Sequence, residues 1–110
     1  MNKDDETMNT IKEEKALSEL GEGTREESVA IVKVTINPEF ELYLDIDFNV
    51  TKVRCLNEDA VTTLEAVQTD LVGNKYGPAM FSILDAATQA GFLAPDAQVK
   101  IETTLHTPMA

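Results

Sequence analysis

One peptide bond in this sequence has chemistry of its own, the bond between Asn37 and Pro38. An asparagine amide can attack its own backbone carbonyl, which closes a succinimide ring and expels the nitrogen of the next residue. The competing deamidation reaction needs the following N–H as its nucleophile, and proline has none. Thr35 would lie on the same side of an extended strand as Asn37 and would offer a hydroxyl for proton transfer. These three residues are the candidate site for a single self-cleavage reaction.

The alternative for the same residues is an ordinary strand end. In that case Asn37 caps a turn, and Pro38 ends the hydrogen-bonded ladder because it has no N–H to donate. Asn37 is also biased towards an extended conformation by the proline that follows it. The residues alone leave both interpretations open.

Strands are predicted on both sides of this bond. Residues 29–36 are dense in β-branched side chains, as in a largely buried strand, and residues 40–46 alternate between apolar and polar types. Residues 45–49 are rich in Asp and Asn and predict a turn. Residues 50–56 predict a third strand, which would form an antiparallel hairpin with the second.

Two helices and a return strand are predicted next. Asn57 is a good N-cap, and the acids Glu58 and Asp59 favour the positive end of the helix dipole. Pro78 suits the first turn of a second helix over residues 78–90, which Gly91 would end. Residues 98–104 alternate and predict a last strand beside the first. The order β-β-β-α-α-β indicates an α+β fold, a small and mostly antiparallel sheet with both helices on one face.

The core is predicted to be mainly aliphatic, with the four Phe as its large side chains. Phe81, Leu84 and Ala87 recur at helical spacing and predict the buried face of the second helix. The only cysteine, Cys55, has no intramolecular disulfide partner and is expected to be a small buried hydrophobe.

The chain divides into three parts by composition. Residues 1–28 are polar and predict a flexible lead or linker, with a short helix over residues 10–20 as the alternative. Residues 29–104 form the expected domain, and residues 105–110 form a tail that holds the only histidine, His106. The sequence contains no signal peptide and no apolar run long enough for a transmembrane segment.

The charge and motif content excludes several functions. A net charge of −11 argues against nucleic acid and against direct contact with an anionic membrane. Asp45, Asp47 and Asn49 imitate the start of a calcium loop, but Val50 and Leu56 occupy its glycine and closing glutamate positions, so a hairpin turn is expected. His106 has no second ligand for a metal, and the glycines form no phosphate-binding loop. We therefore expect no cofactor, no metal and no conventional enzyme.

Three segments in order resemble the middle domain of RsgI-type anti-sigma factors. They are residues 34–42 (Val-Thr-Ile-Asn-Pro-Glu-Phe-Glu-Leu), 53–59 (Val-Arg-Cys-Leu-Asn-Glu-Asp) and 86–93 (Ala-Ala-Thr-Gln-Ala-Gly-Phe-Leu). The family consists of bacterial single-pass membrane proteins whose N-terminal part holds a sigma factor inside the cell. The family usually has Asp and Ser at the positions that are Thr35 and Glu39 here.

The resemblance implies a domain just outside the membrane, between a transmembrane helix and an outer sensing module. It implies self-cleavage at Asn37–Pro38, with the two pieces staying associated. The expected function is therefore an extracytoplasmic signal relay whose partners are proteins or neighbouring domains of a membrane-anchored parent chain. The alternative is a free-standing acidic module for protein interactions, with the same fold and without cleavage.

Overall fold

The computed structural model describes residues 15–35, 37–94 and 99–105. In chain order, the elements of this part are β1 (Ser18–Gly21), β2 (Ala30–Thr35), β3 (Glu39–Leu44), β4 (Val50–Cys55), α1 (Glu58–Ala66), a short 3-10 helix (Gln68–Asp70), α2 (Tyr76–Gln89) and β5 (Lys100–Leu105). A sheet with two α-helices confirms the predicted α+β class.

The described strands form one five-stranded antiparallel sheet in the order β1-β4-β3-β2-β5. The return strand β5 runs along β2, from the pair Thr35↔Lys100 to the pair Ala30↔Leu105, which confirms the predicted neighbour. Strand β2 therefore lies between β3 on one side and β5 on the other.

Strand β1 was not predicted. Its residues belong to the segment predicted to be a polar lead, and the alternative of a helix over residues 10–20 is wrong for residues 18–20. The strand forms at the sheet edge because Leu20 packs against the core, and because Glu19 forms ion pairs with Lys52 and Arg54 of β4. Residues 1–14 lie outside the described part of the chain.

Both helices cover one face of the sheet and enclose an aliphatic core. Residues with no exposed surface are contributed by strands and helices alike: Val34, Phe40, Leu42, Val53, Leu64 and Ile83. Helix α1 begins after Asn57 as predicted. Helix α2 begins at Tyr76, two residues earlier than predicted, with Pro78 in its first turn. Gly91 has a φ of +86°, which confirms its left-handed position after the helix.

The buried face of α2 differs from the predicted one. Its buried residues are Ala79, Met80, Ile83 and Ala87. Phe81 is 71% exposed, so its assignment to the core was wrong. Small residues and Met at this face allow close packing, and the larger ring lies on the side of the helix away from the core. Phe40 is the one fully buried Phe within the described residues.

A row of alternating charges crosses the opposite face of the sheet. Cross-strand pairs join its members in the order Glu19, Arg54, Glu41, Lys33 and Glu102, one from each strand. At its centre Arg54 Nη1 donates to Glu41 Oε1 at 2.6 Å, and both residues are buried. Burial opposes the charge of Arg54, but hydrogen bonds to Glu41 and Glu19 outweigh it and raise the pKa of the guanidinium. We call these five residues the charge row.

The hairpin turn between β3 and β4 is present as predicted. Asp45 Oδ1 accepts hydrogen bonds from the N–H groups of Asp47 and Asn49. The backbone hydrogen bond from Asn49 holds the pKa of Asp45 below its usual value. Phe48 takes the left-handed conformation, with a φ of +63°. These bonds are those of an Asx turn, so the carboxylate is engaged by the backbone.

Candidate functional site

The Asn37–Pro38 bond lies at the end of the hairpin formed by β2 and β3, and it is cis. Pro38 is fully buried, whereas Asn37 is exposed. The bond therefore joins an exposed asparagine at the end of the sheet to a proline whose ring is buried. Both strands of the hairpin are fixed by six register pairs, from Thr35↔Glu39 to Ala30↔Leu44.

Two residues of the α1 N-terminus hold the Asn37 side chain. Asn37 Nδ2 donates to Asp59 Oδ2 at 2.7 Å, and Asn57 Nδ2 donates to Asn37 Oδ1 at 3.2 Å. Each end of the Asn37 amide thus has its own partner. The carboxylate of Asp59 is in direct contact with the nitrogen that would act as nucleophile in self-cleavage.

Asn57 joins the helix start to the segment after the Asn37–Pro38 bond. Its Oδ1 atom accepts the N–H of Ala60 at 2.9 Å, as an N-cap does, and the N–H of Glu39 at 3.2 Å. The Leu56 N–H donates to the Glu39 carbonyl at 2.9 Å. Position and orientation of the bond are therefore set by the helix cap as well as by the sheet.

The two hydrogen bonds of the Asn37 amide polarise its N–H towards the Asp59 carboxylate. A carboxylate that accepts from Nδ2–H can take the proton, and a donor at Oδ1 stabilises the negative charge that the amide then carries. An amide nitrogen that loses its proton as the new bond forms is a better nucleophile than one that keeps it. Attack of this nitrogen on the Asn37 carbonyl carbon stays a prediction, which these two hydrogen bonds would assist.

Of the three residues predicted for the site, Thr35 has the weakest connection to it. Thr35 is exposed at the end of β2, where it pairs with Glu39 and Lys100. The hydrogen bonds of the Asn37 side chain within the described residues go to Asp59 and Asn57 instead. The assignment of Thr35, Asn37 and Pro38 to self-cleavage stays a prediction.

Sequence reasoning missed Asp59, which it interpreted as a helix-terminal charge, and the second role of Asn57. A signal was present nevertheless. The Asn-Pro segment and the Leu-Asn-Glu-Asp segment are two of the three that carry the family resemblance, and they are the two that meet at this site.

The part of the chain that the structure describes contains neither a cluster of metal-binding side chains nor a helix able to span a membrane. Within residues 15–35, 37–94 and 99–105, no group of three or more His, Cys, Asp or Glu residues could hold a metal ion. The helices of those same residues are too short or too polar to cross a membrane. His106 lies outside the described residues.

Fold and site together define a small α+β domain in which an Asn-Pro hairpin is clamped by the start of a helix. The family described as the anti-sigma factor RsgI-like central domain matches residues 29–108, and the chain belongs to this family. No curated protein sequence matches the chain significantly. Membership gives the general role of a domain in an anti-sigma factor, working with other parts of its parent chain.

Proposed function

We propose that this chain is the extracytoplasmic relay domain of a membrane-anchored bacterial anti-sigma factor, and that it cuts itself once at Asn37–Pro38. The observation that carries the proposal is the order of the strands. Strand β2 precedes the bond, yet it lies between β3 and β5, which both follow it. A cut at this bond would therefore leave the upstream fragment inserted in the sheet of the downstream fragment.

The interleaving is extensive enough to hold two separate chains together. Six register pairs join β2 to β3, and six more join it to β5. Ala30, Val32 and Val34 add side chains that are almost wholly buried in the shared core. Burial of apolar surface and two hydrogen-bonded ladders would keep the fragments associated in the absence of force or proteolysis.

The chemistry assigns a role to each residue of the site. Asp59 takes a proton from Asn37 Nδ2 as this nitrogen bonds to the Asn37 carbonyl carbon. The bond from that carbon to the Pro38 nitrogen then breaks, and the proline nitrogen takes the proton from Asp59. The upstream fragment ends in a succinimide, which water opens, and the downstream fragment begins with the free amine of Pro38. Asn57 orients the amide throughout.

The cut domain would relay a signal by coming apart. Force or a bound partner on the outer side would extract the strands of the upstream fragment, and the remaining stub near the membrane would become open to further proteolysis. Release of the sigma factor inside the cell would follow.

The test is the intact mass of the purified protein under denaturing conditions, beside an Asn37→Ala variant. We expect two species, residues 1–37 and 38–110, and a single species in the variant. Before the succinimide opens, the upstream species should be lighter by one water molecule. Size exclusion under native conditions should show both fragments in one peak. A single 12.1 kDa chain after long incubation would rule out self-cleavage and favour the acidic interaction module.

A further inference from the structure

Strand β1 holds the upstream part of the chain at a second place, separate from β2. It lies before the first residue of the family match, residue 29, and pairs with β4 at the opposite edge of the sheet from β5. Four register pairs run from Ser18↔Cys55 to Gly21↔Lys52. Glu19 adds ion pairs to Lys52 at 3.2 Å and to Arg54 at 3.1 Å. We call the contact between residues 17–23 and β4 the edge clasp.

Two glycines let the edge clasp close tightly against Thr51. A Cβ atom added at Gly21 would lie 2.3 Å from the Thr51 carbonyl oxygen, and one added at Gly23 would lie 2.1 Å from Thr51 Oγ1. The Gly23 N–H also donates to the Thr51 carbonyl at 3.0 Å. Any other residue at these positions would push the segment away from β4, so the clasp depends on both glycines.

The strand directions place the two attachments differently with respect to a pulling force. Strand β1 begins at the end of the sheet that holds Cys55 and the Asn37–Pro38 bond, and β5 finishes at the opposite end, at Leu105. A force that separates the chain ends therefore pulls β1 along its own axis, against β4. All four register pairs of the edge clasp share that force, which is a shear geometry.

Strand β2 is loaded in another way once β1 has come off. The force then reaches β2 at Ala30, which is the cross-strand partner of Leu105, where the opposite force acts. Pulling two paired residues apart at the end of a ladder breaks its hydrogen bonds one after another. This is an unzipping geometry, in which each bond carries the force alone, so it yields at lower force than shear of comparable pairs.

We infer that the domain opens in two steps, and that the edge clasp is the gate that sets the force at which β2 begins to unzip. The biological meaning of this gate depends on the proposed function. The order in which the strands detach under force does not depend on the proposed function. The edge clasp precedes the Asn37–Pro38 bond in the chain, so it carries the force in cut and uncut protein alike.

The test is single-molecule pulling on the full chain, held at both ends, in an Asn37→Ala background that keeps it uncut. We expect a first event that releases residues 18–29, about 40 Å of extended chain, before the rest of the domain unfolds. Gly23→Ala should raise the rate of this event at fixed force about tenfold, the scale of overpacking a close contact. Gly77→Ala is the matched control, because nothing lies within 4 Å of a Cβ added there.

A second variant tests the same gate without weakening the fold. Ser18→Cys places a thiol opposite Cys55, and cross-strand partners lie within disulfide reach. Oxidation should abolish the first event and a reducing agent should restore it. The inference is overturned if the domain opens in one event that includes residues 18–29, or if the first event responds to neither variant. If the wild-type chain is uncut and still shows the first event, self-cleavage is ruled out and the role of the edge clasp as a gate is retained.

Discussion

Asp59 follows Asn37 by 22 residues in the chain, yet its Oδ2 atom lies 2.7 Å from the Asn37 amide nitrogen. The family resemblance leads one to look for an acid two residues before the asparagine, and Thr35 stands there. In this chain the acid comes from the first turn of α1. The contact makes the helix start part of the site.

Asp59→Asn is expected to slow self-cleavage by about 10²-fold or more, because the asparagine cannot take a proton from Asn37 Nδ2. Asp59→Glu should recover part of the rate, since it retains a carboxylate. The measurement is the time course of fragment appearance by mass spectrometry. Glu58→Gln is the control, because Glu58 is an exposed acid in the same helical turn. Equal rates in Asp59→Asn and in the wild type would rule out the assigned role.

Asn57→Ala should lower the free energy of unfolding by about 1–2 kcal/mol, because the N–H groups of Ala60 and Glu39 lose their acceptor. Asn57→Asp keeps that acceptor and should retain most of the stability. It removes the donor to Asn37 Oδ1, so cleavage should be slow in both variants. Urea denaturation measures the first quantity and fragment appearance the second. Fast cleavage in a stable Asn57→Asp variant would contradict the role in orienting the amide.

The pair at the centre of the charge row gives a stability prediction. Arg54→Met leaves Glu41 buried without its guanidinium and should cost about 3 kcal/mol of unfolding free energy. The double variant Arg54→Met, Glu41→Leu removes both charges and should recover most of this loss. Urea denaturation of the two proteins checks the difference. If the double variant were less stable than the single one, the pair would be a net stabiliser.

Cys55 gives a prediction for alkaline pH. Burial raises the pKa of its thiol from 9.0 to about 11 in the folded protein. The folded state therefore keeps the proton more tightly than the unfolded state. The resulting stability is complete below pH 9 and is lost as the pH rises to about 11, by at most about 2–3 kcal/mol.

The measurement for Cys55 is the free energy of unfolding across this pH range, in the wild type and in Cys55→Ala. The variant should be less stable at neutral pH because it leaves a cavity, and its stability should fall less steeply above pH 9. Parallel curves for the two proteins would show that the pKa of the thiol is the same in the folded and unfolded states, which would contradict this prediction.

Much of the fold could be predicted because its signals are local. β-branched residues in β2, alternation in β3, the Asn57 cap and Gly91 each act within a few residues of their own position. Strand β1 has no such signal. It contains one large apolar residue, Leu20, and its partners lie more than 30 residues away, so its existence depends on ion pairs and a close glycine contact.

Only part of the candidate site could be predicted from the sequence. Asn37 and Pro38 stand out by their own chemistry, whereas Asp59 looks like any acid at a helix start. Its role appears only when α1 is placed against the β2–β3 hairpin, and sequence spacing does not contain that placement. The prediction of the buried face of α2 was wrong for a similar reason. Phe81 and Met80 are neighbours in the chain, and helical spacing alone did not decide which of them faces the sheet.

The interleaved sheet also determines the order in which the strands and the site can form during biosynthesis. Strand β2 leaves the ribosome before α1 with Asp59 does, and β5 comes last of the described strands. Strand β2 can pair with β3 as soon as the hairpin has formed, but its other neighbour, β5, pairs Leu105 with Ala30 and is made much later. Self-cleavage of the proposed kind could not start before α1 has brought Asp59 to the β2–β3 hairpin. A chain cut at that stage would hold β2 against β3 alone until β5 is added on its other side.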